Sequence, residues 1–388
     1  MNARRLDDRE PVIVDAIRTP VGRRGGALQE LHAAALLAGV FNGLCERTGV
    51  PRDQVDDVVA GCATQVGEQA GNIARTALLM GDFPLTVPGT TVTRACGSSQ
   101  QAVHFADNMI RSGVCDVVIA GGVELMSRTA GGNDDTRYGR RHPEDLVQRF
   151  SMPTMGIAAE RIAERWRLER PWLDELALRS HTLAAAAQDR GHFASQMLPV
   201  ALSGDRRLEA DEGVRRGTTL DKLATLKPAF QEGGRVTAGN SSQVSDGAAG
   251  LLLMSAAKAR EFGLRPRARL KAQFAIGVDP EIMLTGPIPA TQAILRRSGL
   301  TLRDIDLFEI NEAFASVLGA WLKELEPDLD KVNVNGGSIA VGHPLGSTGA
   351  RLMTTLLCEL ERRGGRYGLQ SMCCGGGIGI ATIVERLD

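Results

Sequence analysis

Three stretches of the 388-residue chain set reactive side chains among glycines. The first is Val92-Thr93-Arg94-Ala95-Cys96-Gly97-Ser98-Ser99, where a β-branched run leads into a thiol and a helical stretch follows. A thiol at a helix N-terminus meets the positive end of the helix dipole, which favours the nucleophilic thiolate. Ser98 and Ser99 are both candidate N-caps. A buried, inert thiol is the competing reading of Cys96, and the residues alone leave the two in balance. The second stretch runs from Val332-Asn333-Val334-Asn335-Gly336-Gly337 through Ile339-Ala340-Val341-Gly342-His343-Pro344 to Gly346. His343 there is either a base or hydrogen-bond donor, or a plain loop histidine at a turn. The third is Met372-Cys373-Cys374-Gly375-Gly376-Gly377, at the end of a strand. Its glycines leave backbone N–H groups unhindered, as an oxyanion hole requires, and Cys373 or Cys374 offers a second titrating thiol. A glycine-rich hairpin turn with incidental thiols is the alternative. Cys45, Cys62, Cys115 and Cys358 fall in helical or strand runs and read as core.

The elements that must position these groups follow from the apolar pattern. Short β-branched runs at 12–14, 58–59, 90–93 and 117–120 read as buried strands, each closed by a turn residue. Helical periodicity covers 32–47 and 100–111. From 124 to about 246 the pattern changes to a basic polar loop at 137–142, helices at 158–167 and 173–190, and a charged stretch at 206–217. An insertion of that length inside a compact domain is usually functional. A strand at 250–254 returns to the core. After Arg265-Pro266-Arg267 the first pattern recurs, with strands at 269–276, 305–310, 332–334, 369–373 and 378–384 and helices at 290–298, 313–324 and 349–363. Alternating strands and helices predict an α/β fold with a mixed or mostly parallel sheet, and the recurrence predicts an internal duplication. The second half carries His343 where the first carries Cys96. Approximate two-fold symmetry would therefore bring the two side chains to a common centre.

Composition and missing motifs exclude much else. Lys plus Arg is 45 against Asp plus Glu 46, too balanced for a nucleic-acid binder. The longest apolar run, 248–254, falls far short of the ~20 residues of a membrane span. Residues 1–10 are charged with no apolar h-region, and 385–388 are no peroxisomal address, so a cytoplasmic protein is expected. Seven cysteines argue against a disulfide framework. There is no Walker A loop, no Cys-x-x-Cys or His pair with zinc spacing, no complete Gly-x-Ser-x-Gly and no Gly-x-Gly-x-x-Gly after the first strand.

The three sites, taken with Asn311-Glu312-Ala313-Phe314-Ala315, Ala238-Gly239-Asn240-Ser241-Ser242 and Ser245-Asp246-Gly247-Ala248-Ala249, resemble the thiolases, acyl-CoA C-acyltransferases. The resemblance is spread over nearly the whole chain. It implies duplicated α/β domains in a five-layer helix–sheet–helix–sheet–helix arrangement: an N-terminal domain at 1–265 with a loop domain inserted at 124–246, and a C-terminal domain at 266–388. By the same resemblance Cys96 is the nucleophile, His343 the base that activates it and Cys373 the acid/base at the substrate α-carbon. Asn311 would hold a water that forms one oxyanion hole with His343, and the N–H groups of Cys96 and Gly375 the other. Met155, Arg215, Phe230 and Ser242 would line a coenzyme A tunnel, with Phe314 beside the reacting acyl group. No permanent cofactor or metal is implied; coenzyme A is a substrate, and the expected assembly is a homodimer or homotetramer. Biosynthetic acetoacetyl-CoA-type thiolases usually have His-Met where this chain has Thr154-Met155. That difference favours degradative cleavage of longer or bulkier 3-oxoacyl-CoA, sterol side chains included, over biosynthetic condensation of two acetyl-CoA.

Overall fold

The computed structural model describes residues 6–129, 139 and 142–387, so the basic loop expected at 137–142 lies largely outside the described residues. In the first half, β1 (Pro11–Arg18), β2 (Asp57–Gly61), β3 (Gly89–Val92), β4 (Val117–Leu125) and β5 (Ser245–Ser255) lie in the order β3-β2-β4-β5-β1. Strands β4 and β5 are buried along their whole length, which is why their stretches 117–123 and 247–254 read as apolar runs instead of an alternation. In the second half, β6 (Ala268–Gly277), β7 (Leu307–Ile310), β8 (Tyr367–Cys374) and β9 (Ile378–Arg386) lie in the order β7-β8-β9-β6.

The two orders are the same once equivalent strands are matched. β2 runs parallel to β4, β4 antiparallel to β5 and β5 antiparallel to β1. Likewise β7 runs parallel to β8, β8 antiparallel to β9 and β9 antiparallel to β6. The half-sheets meet edge to edge through the pair Ile13–Ala268.

The strand expected at 332–334 is the one element the second half replaces. Val332 still bridges Phe308 in parallel, as β3 does β2. Asn333, however, turns left-handed at φ 46°. Its side chain then stands in for a strand backbone, accepting from Ile310 N–H and donating to Ile310 C=O.

Helices pack in three layers around the sheets. α1 (Ala33–Thr48) and α2 (Ile73–Met80) cover the outer face of the first half, where Leu37, Phe41, Leu44 and Leu78 join one core. α3 (Ser98–Arg111) and α8 (Leu345–Arg363) lie between the halves, sharing a second core of Ala102, Val103, Met353 and Leu357. α6 (Pro287–Ser298) and α7 (Ala315–Leu325) cover the far face with Ile294, Leu318 and Trp321. From the insertion, α4 (Met155–Arg165) and α5 (Arg170–Asp189) pack on α7. Helix α2 is the clearest element the sequence pattern misses, being eight residues long with only a local cap, the Asn72 side chain on Arg75 N–H. Among the described residues no helix is long and apolar enough to cross a membrane.

Candidate active site

The middle helices decide where the chemistry can happen. Cys96 ends the turn from β3 into α3, and His343 lies two residues before α8. The two N-termini are locked side by side: Ala350 N–H of α8 donates to Ser99 Oγ of α3 at 2.9 Å. Close approach is possible because glycines stand wherever backbone meets backbone. A Cβ on Gly61 would overlap the Ser99 backbone, one on Gly122 the Gly346 carbonyl, and one on Gly349 the Gln100 backbone. The fully buried Glu124 carboxylate lies at the start of α8 and accepts from Gly346, Ala63 and Thr64 N–H and from Gln69, so the anion faces the positive helix end.

The α3 cap differs from the sequence expectation. Gly97 is the cap residue and supplies no side chain. Ser98 Oγ instead closes the preceding turn, accepting from Arg94 N–H and donating to Ala95 C=O. Ala95, directly before the thiol, is left-handed at φ 47°, a conformation that costs a residue with a Cβ about 1–2 kcal/mol.

The backbone N–H groups of Gly375 and of Cys96 itself face the Cys96 sulfur, and both favour its anion. Burial nevertheless dominates and pushes the thiol up to about 11, with Glu124 adding to the rise. The helix end therefore does not leave a standing thiolate, as the N-terminal position alone suggested. Cys373 and Cys374 lie close enough to Cys96 that a charge on it disfavours one on either, and both thiols are raised, chiefly by burial. The Cys374 sulfur packs on Gly97: a Cβ added to that glycine would come within 2.7 Å of it. All seven cysteines are buried free thiols.

His343 is 3% exposed, and burial, helped by the nearby Arg351 cation, pulls its imidazole down to about 3. It is neutral at physiological pH. Its Nδ1 meets Thr348 Oγ1 at 2.8 Å and its Nε2 faces Asn311 Nδ2 at 3.4 Å. Thus Asn311 and His343 are neighbours, and Cys96, Cys373 and Gly375 form a second cluster.

Of the expected tunnel residues, four form one wall. The Phe230 ring lies on Gly156, where no Cβ would fit, and meets the Phe314 ring edge-on at 5.8 Å. Ser242 N–H donates to Ala313 C=O, holding its segment beside Phe314. Met155 Sδ is 4.0 Å from where a Gly375 Cβ would lie, so the wall reaches the oxyanion-type turn. Arg215 stands apart. Its side chain is exposed, and its backbone N–H donates to His181 Nδ1. Thr154 caps α4 by accepting from Ile157 N–H.

Sequence reasoning missed the groups behind the site. Glu312, fully buried, accepts from Ser180, Asn333 and Ile339 N–H and ties the 333–339 loop to β7. Ser338 and Arg351 stand behind Asn311. A buried acid in the Asn-Glu-Ala motif was a readable signal for the first; the others come together only by folding.

Comparison with known proteins agrees with this arrangement. Residues 11–257 match the family model "Thiolase, N-terminal domain" and residues 264–386 match "Thiolase, C-terminal domain". The chain is 48% identical over 394 residues to a protein of Mycobacterium tuberculosis named "Steroid 3-ketoacyl-CoA thiolase FadA6", covering 97% of this chain and 94% of that one. It is 44% identical over 390 residues to a "3-ketoacyl-CoA thiolase" of Cronobacter sakazakii, covering 97% and 99%. The crystal structure of the Bacillus anthracis acetyl-CoA acetyltransferase superposes with a TM-score of 0.90 at 44% identity, covering 97% of this chain and 99% of that one. Matched nearly end to end in sequence and in fold, the chain belongs to the thiolase family and is an acyltransferase.

Proposed function

We propose that the protein cleaves 3-oxoacyl-CoA with coenzyme A, giving acetyl-CoA and an acyl-CoA two carbons shorter, in a β-oxidation-type degradation. The observation that carries this reading is the packing of the 373–375 turn, with its two buried thiols, against Ala95 and Gly97 on either side of Cys96 at the start of α3. His343 takes the Cys96 proton as the sulfur attacks the substrate's 3-oxo carbon, since neither buried group favours a charge before substrate arrives. The C2–C3 bond breaks with its electron pair on the acetyl-CoA side, and Cys373 protonates that carbanion. Acetyl-CoA leaves an acyl group on Cys96. Coenzyme A gives its thiol proton to the Cys373 thiolate and attacks the acyl-enzyme; the Cys96 sulfur leaves, takes back the proton held by His343, and the shortened acyl-CoA is released. Two developing oxyanions are met by fixed donors, Cys96 and Gly375 N–H for one and the Asn311–His343 side for the other; loss of one such donor typically costs about 3–4 kcal/mol.

Met155, Phe230, Ser242 and Phe314 line the tunnel for the pantetheine arm and acyl group, with Arg215 at its outer end toward the nucleotide. The substrate is a long or bulky acyl chain. Thr154 in the cap position and the similarity to a protein named a steroid thiolase support this, extending the reading to sterol side chains. The functional units are 1–265, with 124–246 as the loop domain, and 266–388. The enzyme acts in the cytoplasm as a homodimer or homotetramer, with coenzyme A as substrate and no resident cofactor.

Thiolysis rates on 3-oxoacyl-CoAs from C4 to C16 and on a steroid side-chain thioester, with intact mass of the trapped intermediate, test the reading. The expected result is an adduct on Cys96, absent in Cys96→Ala, and rates that rise beyond C4. A strong preference for the C4 substrate would establish the biosynthetic alternative instead, and an adduct on another residue would overturn the nucleophile assignment.

A further inference from the structure

Behind Asn311 lies a buried chain of hydrogen bonds whose direction is fixed at its far end. Arg351, on α8, is 3% exposed and remains a cation at neutral pH, although burial lowers its guanidinium to about 10. A guanidinium only donates, and its Nη2 reaches Ser338 Oγ at 2.9 Å. The Ser338 hydroxyl, fully buried, therefore accepts there and turns its single proton elsewhere. It lies 2.6 Å from Asn311 Oδ1. That separation is ordinary for O–H···O and short for N–H···O, so the amide oxygen faces Ser338. The Asn311 amino group must then face His343 Nε2, at 3.4 Å.

An N–H donor opposite Nε2 excludes a proton on that nitrogen in the neutral ring. The proton sits on Nδ1, where Thr348 Oγ1 can accept it at 2.8 Å. Thr348 is free to accept because its own hydroxyl proton points to Pro344 C=O at 2.8 Å. Both ends of the imidazole give the same answer.

We propose that Ser338, held by Arg351, is a positioning residue that fixes the orientation of the Asn311 amide and thereby keeps His343 in the tautomer with an unprotonated Nε2, the form able to accept the thiol proton. Without the hydroxyl, the two ends of the Asn311 amide become nearly equivalent. Its oxygen can then turn to Nε2 and stabilise the Nε2–H tautomer, which cannot act as the base.

The inference rests on the proposed roles of Asn311 and His343, and its test separates the two. In 15N-histidine-labelled full-length protein, two-bond 15N–1H correlations report the His343 tautomer without any turnover, with His343→Asn identifying the signal. The wild type is expected to show Nδ1–H, and Ser338→Ala a gain of Nε2–H. In single-turnover experiments Ser338→Ala is expected to slow Cys96 acylation about tenfold or more with KM nearly unchanged, while Ser338→Thr, which keeps the hydroxyl, returns most of the rate. A wild-type Nε2–H tautomer, a Ser338→Ala variant that acylates normally, or a threonine variant as slow as the alanine one would overturn the inference. If the wild type forms no acyl-enzyme at Cys96, the functional reading fails, and the tautomer measurement still decides the hydrogen-bond chain.

Discussion

Gly349→Ala tests whether the contact between the middle helices sets the spacing of sulfur and imidazole. Gly349 lies inside α8, four residues beyond its start. A Cβ there would overlap the Gln100 backbone nitrogen and stand 2.7 Å from Gln100 Cβ and 2.9 Å from its Cα. Carbon atoms in comfortable contact are about 3.5–4.0 Å apart, so α3 and α8 must separate by roughly 1 Å near their N-termini. Overpacking of this kind costs about 1–3 kcal/mol, offset by up to about 1 kcal/mol from replacing a helical glycine with alanine. The kinetic effect is larger, because a displacement of about 1 Å at a reaction centre costs on the order of 100-fold. The expected phenotype is a modest fall in the urea midpoint with kcat for thiolysis down about 100-fold and KM changed little. Gly39→Ala is the matched control: it is an exposed glycine in α1 with nothing within 4 Å of an added Cβ, and it should leave kcat intact and raise the urea midpoint slightly. A Gly349→Ala enzyme with wild-type kcat would show that the helix contact does not govern the chemistry.

Gly97→Ala should destabilise by about 1–3 kcal/mol, since its Cβ meets Cys374 Sγ at 2.7 Å and Ile380 Cγ2 at 3.0 Å; adding Cys374→Ala should recover part of the loss, and additive effects in urea titrations would rule out the contact. His104 is buried on α3 against Thr382 and its imidazole is lowered to about 3, chiefly by burial. Its contribution is intact above the unfolded value near 6.5 and is lost as pH falls below it, on the order of 1.4 kcal/mol per pH unit. His104→Gln should therefore flatten the fall in stability between pH 6.5 and 4, and a wild-type-to-variant difference independent of pH would contradict this. Cys373→Ser should slow exchange of the acetyl-CoA α-proton more than acylation of Cys96, and equal losses would remove its role in carbon protonation.

Much of the fold was readable because its signals are local. Doubly buried strands such as β4 and β5 leave long apolar stretches, and glycines lie close to each reactive side chain. Cys96, Asn311, His343, Cys373 and Gly375 were singled out from motifs, and folding sets the first beside the last two and Asn311 beside His343. What escaped depends on tertiary context. The strand at 332–334 reads correctly by composition, yet Asn333 bonds sideways to Ile310 and takes over the ladder with its side chain. A thiol at a helix start reads as a thiolate until its burial is known. Ser338 and Arg351 lie 13 residues apart in different elements, and nothing in their neighbours hints that Arg351 donates to Ser338 and Ser338 in turn to Asn311.

The meeting of the two duplicated halves through bare main chain, at Gly122 and Gly349, bears on how such an enzyme diversifies. Atoms common to every amino acid hold the proposed reacting groups in register, so the proposed tunnel wall of Met155, Phe230 and Phe314 is left out of that task. Those side chains are free to drift over generations toward a new acyl shape while the catalytic distances stay put. A single scaffold can in this way be inherited by pathways that burn very different lipids.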